Sequence, residues 1–451
     1  MVLVTAALLG VHMSRTAAPA PRGDLTVDAG GTVTGPVRGT TLAFVDVNVV
    51  PMDSDRVLPR QVVIVEDGRI VEIGPVGTLT PPPGAFRVEG DGSQYLAPGM
   101  TDAHVHLPEG AAGWLPLFLA NGVTTVFNLR GDDRHLSLRD QVADGEVLGP
   151  RIFTSGPFTN QPEIRTPAQA AQAVRLQARR GFDFVKIHGD LTEESFAAAA
   201  AAAREEGIPL IGHAPRNLPF SAVLENRMDG IAHAEELIYT QFRSLDESGL
   251  EAVAADMAMA GTWLTPTLST FGNIVSQWGT DEGVEVGLTS DAALHLPDAM
   301  LRDWLNDNPY TGRDPAGRDR IRDMYDFQHP MIRVLHGAGI PMLAGTDAPL
   351  PVMAPGFSLV GELEALRRAG LSNYEALVTA TRNPGRFARE KLGAPTPFGT
   401  VTVGATADLV LLGQNPLAEL TNLRTVRGVM LGGEWYDSGA VAEMLERARG
   451  R

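Results

Sequence analysis

The sequence predicts an α/β protein, a (β/α)8 TIM barrel with a small β-sandwich domain built from both chain ends. Through the middle of the chain, short apolar runs alternate with helix-like segments, which is typical of such a barrel. Segments rich in β-branched residues flank this region on both sides. Histidine, lysine or aspartate ends several of the apolar runs, and barrels of this kind carry their chemistry at the carboxyl ends of the strands.

Composition limits the classes of function. At 451 residues and 44% hydrophobic content, the chain can bury one large core and still form a smaller second domain. Its 37 basic and 54 acidic residues give a formal charge of -17, which disfavours nucleic acid and anionic membrane surfaces as partners. The chain has no cysteine, so disulfides, zinc–thiolate sites and thiol nucleophiles are excluded. A metal would therefore rest mainly on histidine and carboxylate ligands.

Residues 1–24 are interpreted as a signal peptide or a disordered tail. Residues 2–11 form an apolar run too short to cross a bilayer, and residues 18–20 (Ala-Pro-Ala) offer a small-residue cleavage site. No lysine or arginine precedes the run. We expect export to the periplasm or the extracellular space, and a cytoplasmic protein if this segment is not a signal peptide. We expect no integral membrane segment.

Residues 25–95 and 395–451 are predicted to form the composite β-sandwich. The first segment contains short β-branched runs, with Asp67-Gly68 as a hairpin turn between two of them. The second contains similar runs, with Gly432-Gly433 as a tight turn. Two separate small sheets are the alternative, but neither segment alone has enough strands to bury a core.

Residues 96–394 are predicted to form the barrel. Its first strand lies in YLAPGMTDAHVHL and its eighth in PMLAGTDAP. The alanine-rich stretch TEESFAAAAAAAREEG predicts a close-packed helix that Gly207 ends, because alanine has the highest helix propensity. Residues 272–326, between strands seven and eight, are long for a loop and are interpreted as a helical lid or rim.

Six candidate site residues follow predicted strands. They are His104, His106, Lys186, His213, His233 and Asp347. Side chains alternate along a strand, so His104 and His106 share one face and can reach one ion. A His-x-His pair is weak evidence alone, whereas four imidazoles, an amine and a carboxylate at successive strand ends predict a metal site.

The first strand resembles that of the amidohydrolase superfamily. Five residues match its Pro-Gly-x-x-Asp-x-His-x-His pattern, namely Pro98, Gly99, Asp102, His104 and His106. ATRNPGRFARE and GTVTVGATADLVLL resemble the superfamily's C-terminal stretch, so the resemblance covers nearly the whole chain. Within the superfamily, the chain is most similar to the imidazolonepropionase-related group, which includes prolidase-like dipeptidases.

The resemblance implies a binuclear metal centre held by the six residues. CO2 would convert Lys186 to a carbamate that bridges two divalent ions; the alternative is an ordinary surface lysine. One ion would bind the His-x-His pair with Asp347, and the other the histidines after strands five and six. Zinc suits an imidazole-rich site. A hydroxide that bridges the metals would attack the substrate, and Asp347 would act as general acid and base. The alternative role of Asp347 is a helix cap.

The expected reaction is hydrolysis of a C–N bond in a small amide, a dipeptide or an N-acyl amino acid. A lactonase or a phosphotriesterase on the same binuclear site is the alternative. A deaminase of this superfamily usually has a glutamate shortly after the strand-five histidine, whereas Ala-Pro-Arg-Asn follows His213. A non-catalytic homologue would be expected to have lost ligands, and this chain keeps all six.

Three further residues are candidates for substrate binding. Arg130 ends strand two and could bind a carboxylate, unless it pairs with Asp132 or Asp133 instead. His188 shares a face with Lys186, and Tyr239 follows the strand-six histidine as a candidate oxyanion donor. The expected partner is a small-molecule substrate. A homo-oligomer is compatible with the sequence.

Overall fold

The computed structural model describes residues 41–449, together with Val37 and the short strands Thr26–Val27 and Val33–Thr34. The predicted signal peptide lies outside the described residues. Within them, no helix is both long enough and apolar enough to cross a membrane.

Seventeen β-strands occur in the described residues. In chain order they are β1 (Thr26–Val27), β2 (Val33–Thr34), β3 (Leu42–Val49), β4 (Leu58–Glu66), β5 (Arg69–Pro75), β6 (Phe86–Glu89), β7 (Tyr95–Pro98), β8 (Met100–Val105), β9 (Val123–Asn128), β10 (Arg151–Thr154), β11 (Val185–Ile187), β12 (Leu210–Gly212), β13 (Gly230–Ala232), β14 (Trp263–Thr265), β15 (Leu409–Leu412), β16 (Val426–Leu431) and β17 (Glu434–Asp437).

Fifteen α-helices occur in the same part of the chain, with short 3-10 turns between some of them. They are α1 (Pro116–Ala120), α2 (Asp133–Ala143), α3 (Pro167–Arg180), α4 (Glu193–Glu206), α5 (Phe220–Glu225), α6 (Glu235–Thr240), α7 (Leu250–Ala260), α8 (Leu268–Gln277), α9 (Glu282–Leu288), α10 (Asp298–Asn306), α11 (Arg318–Gly337), α12 (Ser358–Arg368), α13 (Asn373–Ala380), α14 (Arg382–Lys391) and α15 (Ser438–Arg449).

Strands from both chain ends share one sheet. Its order is β17-β16-β15-β7-β3-β4-β5, and β6 pairs with β3. The ends meet where β15 runs antiparallel to β7, with Leu409 opposite Pro98 and Leu412 opposite Tyr95. The Asp67-Gly68 and Gly432-Gly433 turns join β4 to β5 and β16 to β17, as predicted. The hydrogen bonding gives a single eight-stranded sheet, and a two-layered sandwich stays a prediction.

The middle of the chain alternates parallel strands with helices, so the fold is α/β. Strands β8, β9 and β10 form one parallel sheet, and β11 to β14 form another. Single parallel bridges link these sheets and the segment after α11. The bridges are Ser155 with Phe184, Leu264 with Met342, and Val105 with Ala348. This neighbour order is the one that a (β/α)8 barrel requires, and its closure stays a prediction.

The predicted eighth strand, in PMLAGTDAP, is not a regular strand. Leu343 N donates to Leu264 O at 2.9 Å, and Ala103 N donates to Ala344 O at 2.8 Å, so the segment is bonded on both sides. Ala344 N instead donates to Thr379 O at 2.9 Å, outside the strands. The hydrogen bond to Thr379 interrupts the regular pairing between strands. A sequence pattern cannot reveal this partner, because Thr379 is distant in sequence.

The helices match the sequence expectations closely. The alanine-rich segment forms α4, where the Thr192 hydroxyl accepts from Ser195 N at 3.2 Å and Gly207 ends the helix at φ 69°. Residues 272–326 contain most of α8, all of α9 and α10, and the start of α11. The insertion is therefore helical, as predicted.

Glu362 holds the start of α8, the helix that leads into the insertion. This fully buried carboxylate on α12 accepts from Leu268 N at 3.0 Å and Ser269 N at 2.7 Å, the first two residues of α8. Both amides lack a partner within their own helix, and a carboxylate at a helix N-terminus also interacts favourably with the helix dipole.

Replacing Glu362 with alanine should therefore lower the free energy of unfolding by about 2–4 kcal/mol, because two buried amides lose their acceptor. Glu364→Ala is the matched control, since this half-buried neighbour on α12 makes no hydrogen bond or ion pair with the described residues. Urea unfolding followed by circular dichroism measures both variants. Equal stabilities of the two variants would contradict the role assigned to Glu362.

Candidate metal centre

Three predicted ligands lie close enough together to hold one ion. His104 lies in β8, His233 follows β13 and Asp347 lies in the segment after α11. One ligand atom of each lies within 4.8 Å of the others. All three side chains are buried. The three residues are more than 100 positions apart in the sequence, so only the fold brings them together.

His106 completes the contacts around Asp347. Its Nε2 lies 2.8 Å from Asp347 Oδ1, and His104 Nε2 lies 3.4 Å from the same oxygen. The two imidazole rings of the His-x-His pair are 5.3 Å apart. Both side chains therefore face one carboxylate, as the alternation of a strand predicts.

His213 and Lys186 lie beside this group. The His213 and His233 rings are 4.7 Å apart. Lys186 is fully buried on β11, and its Nζ has no hydrogen-bond partner among the described residues. A Cβ on Gly212, in the adjacent strand, would lie 2.8 Å from Lys186 Cδ, so glycine leaves room for the lysine stem.

The surroundings of His104, His213, His233 and Asp347 favour their metal-binding protonation states. Burial lowers the pKa of His104, His213 and His233 well below the usual histidine value, and the cationic form of Lys186 adds to the effect at all three. Burial also lowers the pKa of Lys186 to about 8. Burial alone would raise the pKa of Asp347, but His106 holds it below its ordinary value. Neutral imidazoles and an ionised carboxylate are the forms that bind metals.

Backbone strain also concentrates at this centre. His233, Thr267 and Asp347 have φ values of 73°, 53° and 54°, a region that non-glycine residues rarely adopt. Thr267 Oγ1 lies 2.8 Å from His233 Nδ1 and so fixes the orientation of that imidazole ring. Strain of this kind persists where the surrounding structure enforces it, most often at functional sites.

Asp102 has a clear structural role that the motif match did not supply. It is fully buried, accepts from Thr346 N at 3.0 Å and Thr346 Oγ1 at 2.6 Å, and lies 3.3 Å from His104 N. Burial raises the pKa of Asp102 to about 7, although the Thr346 hydrogen bonds oppose the rise. Asp102 thus ties the His-x-His strand to the segment that carries Asp347.

Glu236 is a functional candidate that sequence reasoning missed. This fully buried carboxylate lies 3.3 Å from His213 Nδ1 and forms a two-pronged ion pair with Arg216, with its shortest contact 2.6 Å. Burial raises the pKa of Glu236, and Arg216 opposes the rise. The available indication in the sequence was an acidic pair, one residue beyond His233 and before an apolar run.

The three substrate candidates have different surroundings. Arg130 is exposed, and neither Asp132 nor Asp133 pairs with it. His188 is half-buried, with its ring 4.5 Å from that of His213. Tyr239 lies under the Arg216 guanidinium, whose Cζ is 3.8 Å from the ring centroid. That stacking favours a packing role for Tyr239, and its role as an oxyanion donor stays a prediction.

A cleft of about 940 Å³ opens beside the centre. His106 and Arg130 line it from the strand ends, and Met300 and Trp304 line it from the helical insertion. The cleft is large enough for a small substrate.

Comparison with known sequences gives two kinds of relative. An uncharacterized protein of Mycobacterium tuberculosis is 26% identical over 340 residues, which cover 71% of this chain and 80% of the relative. An adenine deaminase of Paracoccus denitrificans is 28% identical over 148 residues, which cover 30% of this chain and 24% of the relative. The deaminase similarity is thus confined to a part of each protein.

Solved structures match over most of the chain. Bottromycin amidohydrolase superposes with a TM-score of 0.70 at 25% identity and covers 91% of each chain. A Xaa-Pro dipeptidase with methionine bound in its active site superposes with a TM-score of 0.68 at 19% identity, over 88% of this chain and all of the other. The second similarity is one of fold.

The sequence model described as the Amidohydrolase family matches residues 95–436. That span includes all six predicted ligands, from His104 to Asp347. It confirms the resemblance of the first strand and of the C-terminal stretch to that superfamily. The chain therefore belongs to the Amidohydrolase family, a family of hydrolases.

Proposed function

We propose that this protein is a metal-dependent hydrolase that cleaves a C–N bond in a small, peptide-like amide. Its catalytic domain would be a closed barrel of residues 96–394, with residues 25–95 and 395–451 as the second domain. Residues 1–24 would direct export. N-terminal sequencing of the mature protein checks the last point, since a chain that keeps Met1 in the cytoplasm contradicts it.

The observation that carries the proposal is a set of buried polar atoms without partners. Among the described residues, both ring nitrogens of His104, Nδ1 of His106 and Nζ of Lys186 are buried and lack a hydrogen bond. Unpaired buried polar atoms are rare and costly, and a bound ion is one of their standard explanations. Imidazole nitrogens bind divalent cations, and the ionised Asp347 beside them adds a carboxylate ligand, so the residues fit such an ion.

Lys186 fits a binuclear version of this site. An ammonium group, buried and unpaired among imidazoles, would oppose metal binding. Reaction of the neutral amine with CO2 forms an N–C bond, releases one proton and leaves an anionic carbamate. We therefore assign His104, His106 and Asp347 to one ion and His213 and His233 to the other, and the carbamate would bridge them. A ligand atom of His233 also lies within 4.8 Å of His104 and Asp347, so His233 stands between the two half-sites.

When bound, two divalent ions, zinc being the best match, would lower the pKa of a water molecule and polarise the scissile carbonyl. Asp347 lies 2.8 Å from His106 and is kept ionised, so it can accept the proton of the attacking water. It can then return the proton to the departing nitrogen. An amine leaves poorly without a proton, whereas an alcohol needs the proton less. Because Asp347 can supply that proton, an amide is favoured over an ester as substrate.

The alternatives differ in what the site must supply. A lactonase or phosphotriesterase would use the same ligands and remains the second candidate. A deaminase needs a carboxylate free to transfer protons near the strand-five histidine, whereas Glu236, the carboxylate near His213, is bound to Arg216. The similar structures include a Xaa-Pro dipeptidase and bottromycin amidohydrolase, which supports the peptide-like class.

A substrate screen tests the proposed reaction. Metal-replete protein is incubated with dipeptides, N-acyl amino acids, lactams, lactones, phosphotriesters and adenine, and products are followed by mass spectrometry. We expect turnover of a dipeptide or an N-acyl amino acid. Phosphotriester or lactone turnover that exceeds every amide by orders of magnitude would contradict the C–N assignment, and ammonia release from adenine would favour the deaminase.

Metal content tests the bridging role of Lys186. Wild-type protein purified without chelator should carry about two divalent ions per chain, and Lys186→Ala should lose metal and activity together. Lys186→Arg should fail equally, because a guanidinium keeps its charge and forms no carbamate. Elemental analysis and turnover are measured on the same samples. Wild-type metal content and activity in either variant would exclude the carbamate.

Glu236→Gln tests the carboxylate beside His213. The change keeps the size but removes the charge that orients the imidazole, so affinity for one of the two ions should fall by about 10- to 100-fold. Titration with metal buffers measures both affinities. Glu205→Gln, which removes an exposed carboxylate 2.7 Å from Arg175, is the control. Unchanged affinity for both ions in Glu236→Gln would contradict this role.

A further inference from the structure

Arg130 is a cation without a charged partner in an acidic protein. The chain has 54 acidic and only 37 basic residues, yet Arg130 forms no ion pair or side-chain hydrogen bond with any described residue. Its two nearest acidic neighbours in sequence are bound elsewhere, Asp132 to Arg134 at 2.7 Å and Asp133 to Arg180. Its guanidinium is therefore available to an anion from outside the chain.

The backbone beneath Arg130 is held rigidly. The buried Asn128 side chain donates to Arg130 O at 3.2 Å, and Gly131 N donates to Gly156 O at 3.3 Å. A Cβ on Gly131 would lie 1.8 Å from Ser155 O, so only glycine permits this close approach. A fixed backbone reduces the entropy lost when the guanidinium binds a ligand.

A row of rings connects Arg130 to the metal centre. Its Cζ lies 5.5 Å from the centroid of the half-buried Phe158 ring, a cation–π contact. Phe158 stacks on His188 with centroids 4.2 Å apart and planes within 4° of parallel. The His188 ring lies 4.5 Å from that of His213. Two stacked rings thus lie between Arg130 and a candidate metal ligand.

The cleft beside the centre does not attract anions in general. Asp303 and Asp307 of the insertion line it together with Arg130 and Arg134. Arg134 is neutralised by Asp132 at 2.7 Å and Glu109 at 3.1 Å. Specific binding of an anion in this cleft therefore depends on the Arg130 guanidinium, whose planar fork matches a carboxylate.

We propose that Arg130 binds the carboxylate of the substrate, so that the enzyme acts on N-acyl amino acids and dipeptides with a free carboxyl terminus rather than on neutral amides. The inference rests on the proposed function and narrows its substrate class. With the carboxylate on Arg130, the rings of Phe158 and His188 would flank the amino-acid part of the substrate and leave its amide near the metal ligands.

The first test compares each substrate from the screen with its C-terminal carboxamide. Wild-type enzyme should prefer the free acid through KM. Arg130→Met should raise KM for the acid by roughly 10- to 100-fold and leave the carboxamide unchanged, because one charge-assisted contact is lost. Arg130→Lys should fall between the two, since it keeps the charge without the fork. Arg175→Met should keep the wild-type preference, because that cation is paired with Glu205 at 2.7 Å and does not line the cleft.

The second test does not depend on turnover. Calorimetry measures the binding of leucine, methionine and proline and of their carboxamides to the metal-replete wild type and to Arg130→Met. Tighter binding of at least one acid, lost in the variant, supports the inference even if the screen finds another reaction. Equal binding of every acid and its carboxamide by the wild type, or equal loss of both in Arg130→Met, would overturn it.

Discussion

The hydrogen bonds between Asp102 and Thr346 are the interaction on which the site depends. They join the first predicted barrel strand to the segment that carries Asp347, although these residues are 244 positions apart. Gly345 allows the contact, since a Cβ there would lie 2.6 Å from His104 Cβ. Asp347 N then donates to His104 O at 2.7 Å. Together these hydrogen bonds place the His-x-His pair opposite the Asp347 carboxylate.

The assembled centre stabilises the fold little by itself. Imidazole nitrogens and an amine are removed from water without replacement hydrogen bonds. Each such group costs free energy, and the αL conformations of His233 and Asp347 add to the cost. The apolar core and the strand pairing must offset that cost. A site poised to bind cations is thus maintained by the rest of the protein, which is the usual relation between stability and function.

Two buried carboxylates outside the predicted ligand set stabilise the elements that surround the centre. Glu236 contacts His213 from the start of α6, while Glu362 fixes the start of α8 directly after Thr267, the residue that contacts His233. Each carboxylate connects an element outside the ligand set to one side of the site. The helical insertion that follows α8 also lines the cleft, so the same support determines the position of the ligands and one wall of the substrate pocket.

The sequence alone determined features whose causes are local or periodic. Alternating apolar runs gave the α/β class, Asp-Gly and Gly-Gly pairs gave the two hairpins, and alanine content with a terminal glycine gave α4. The tertiary structure decided features that depend on distant partners. Ala344 bonds to Thr379 and breaks the eighth strand, Glu236 reaches His213, and Arg130 is left unpaired because other arginines take its neighbouring aspartates. A sequence pattern shows which side chain follows a strand. Which partner each charged group or backbone amide bonds to depends on residues that are distant in sequence, and it is decided only when the chain packs.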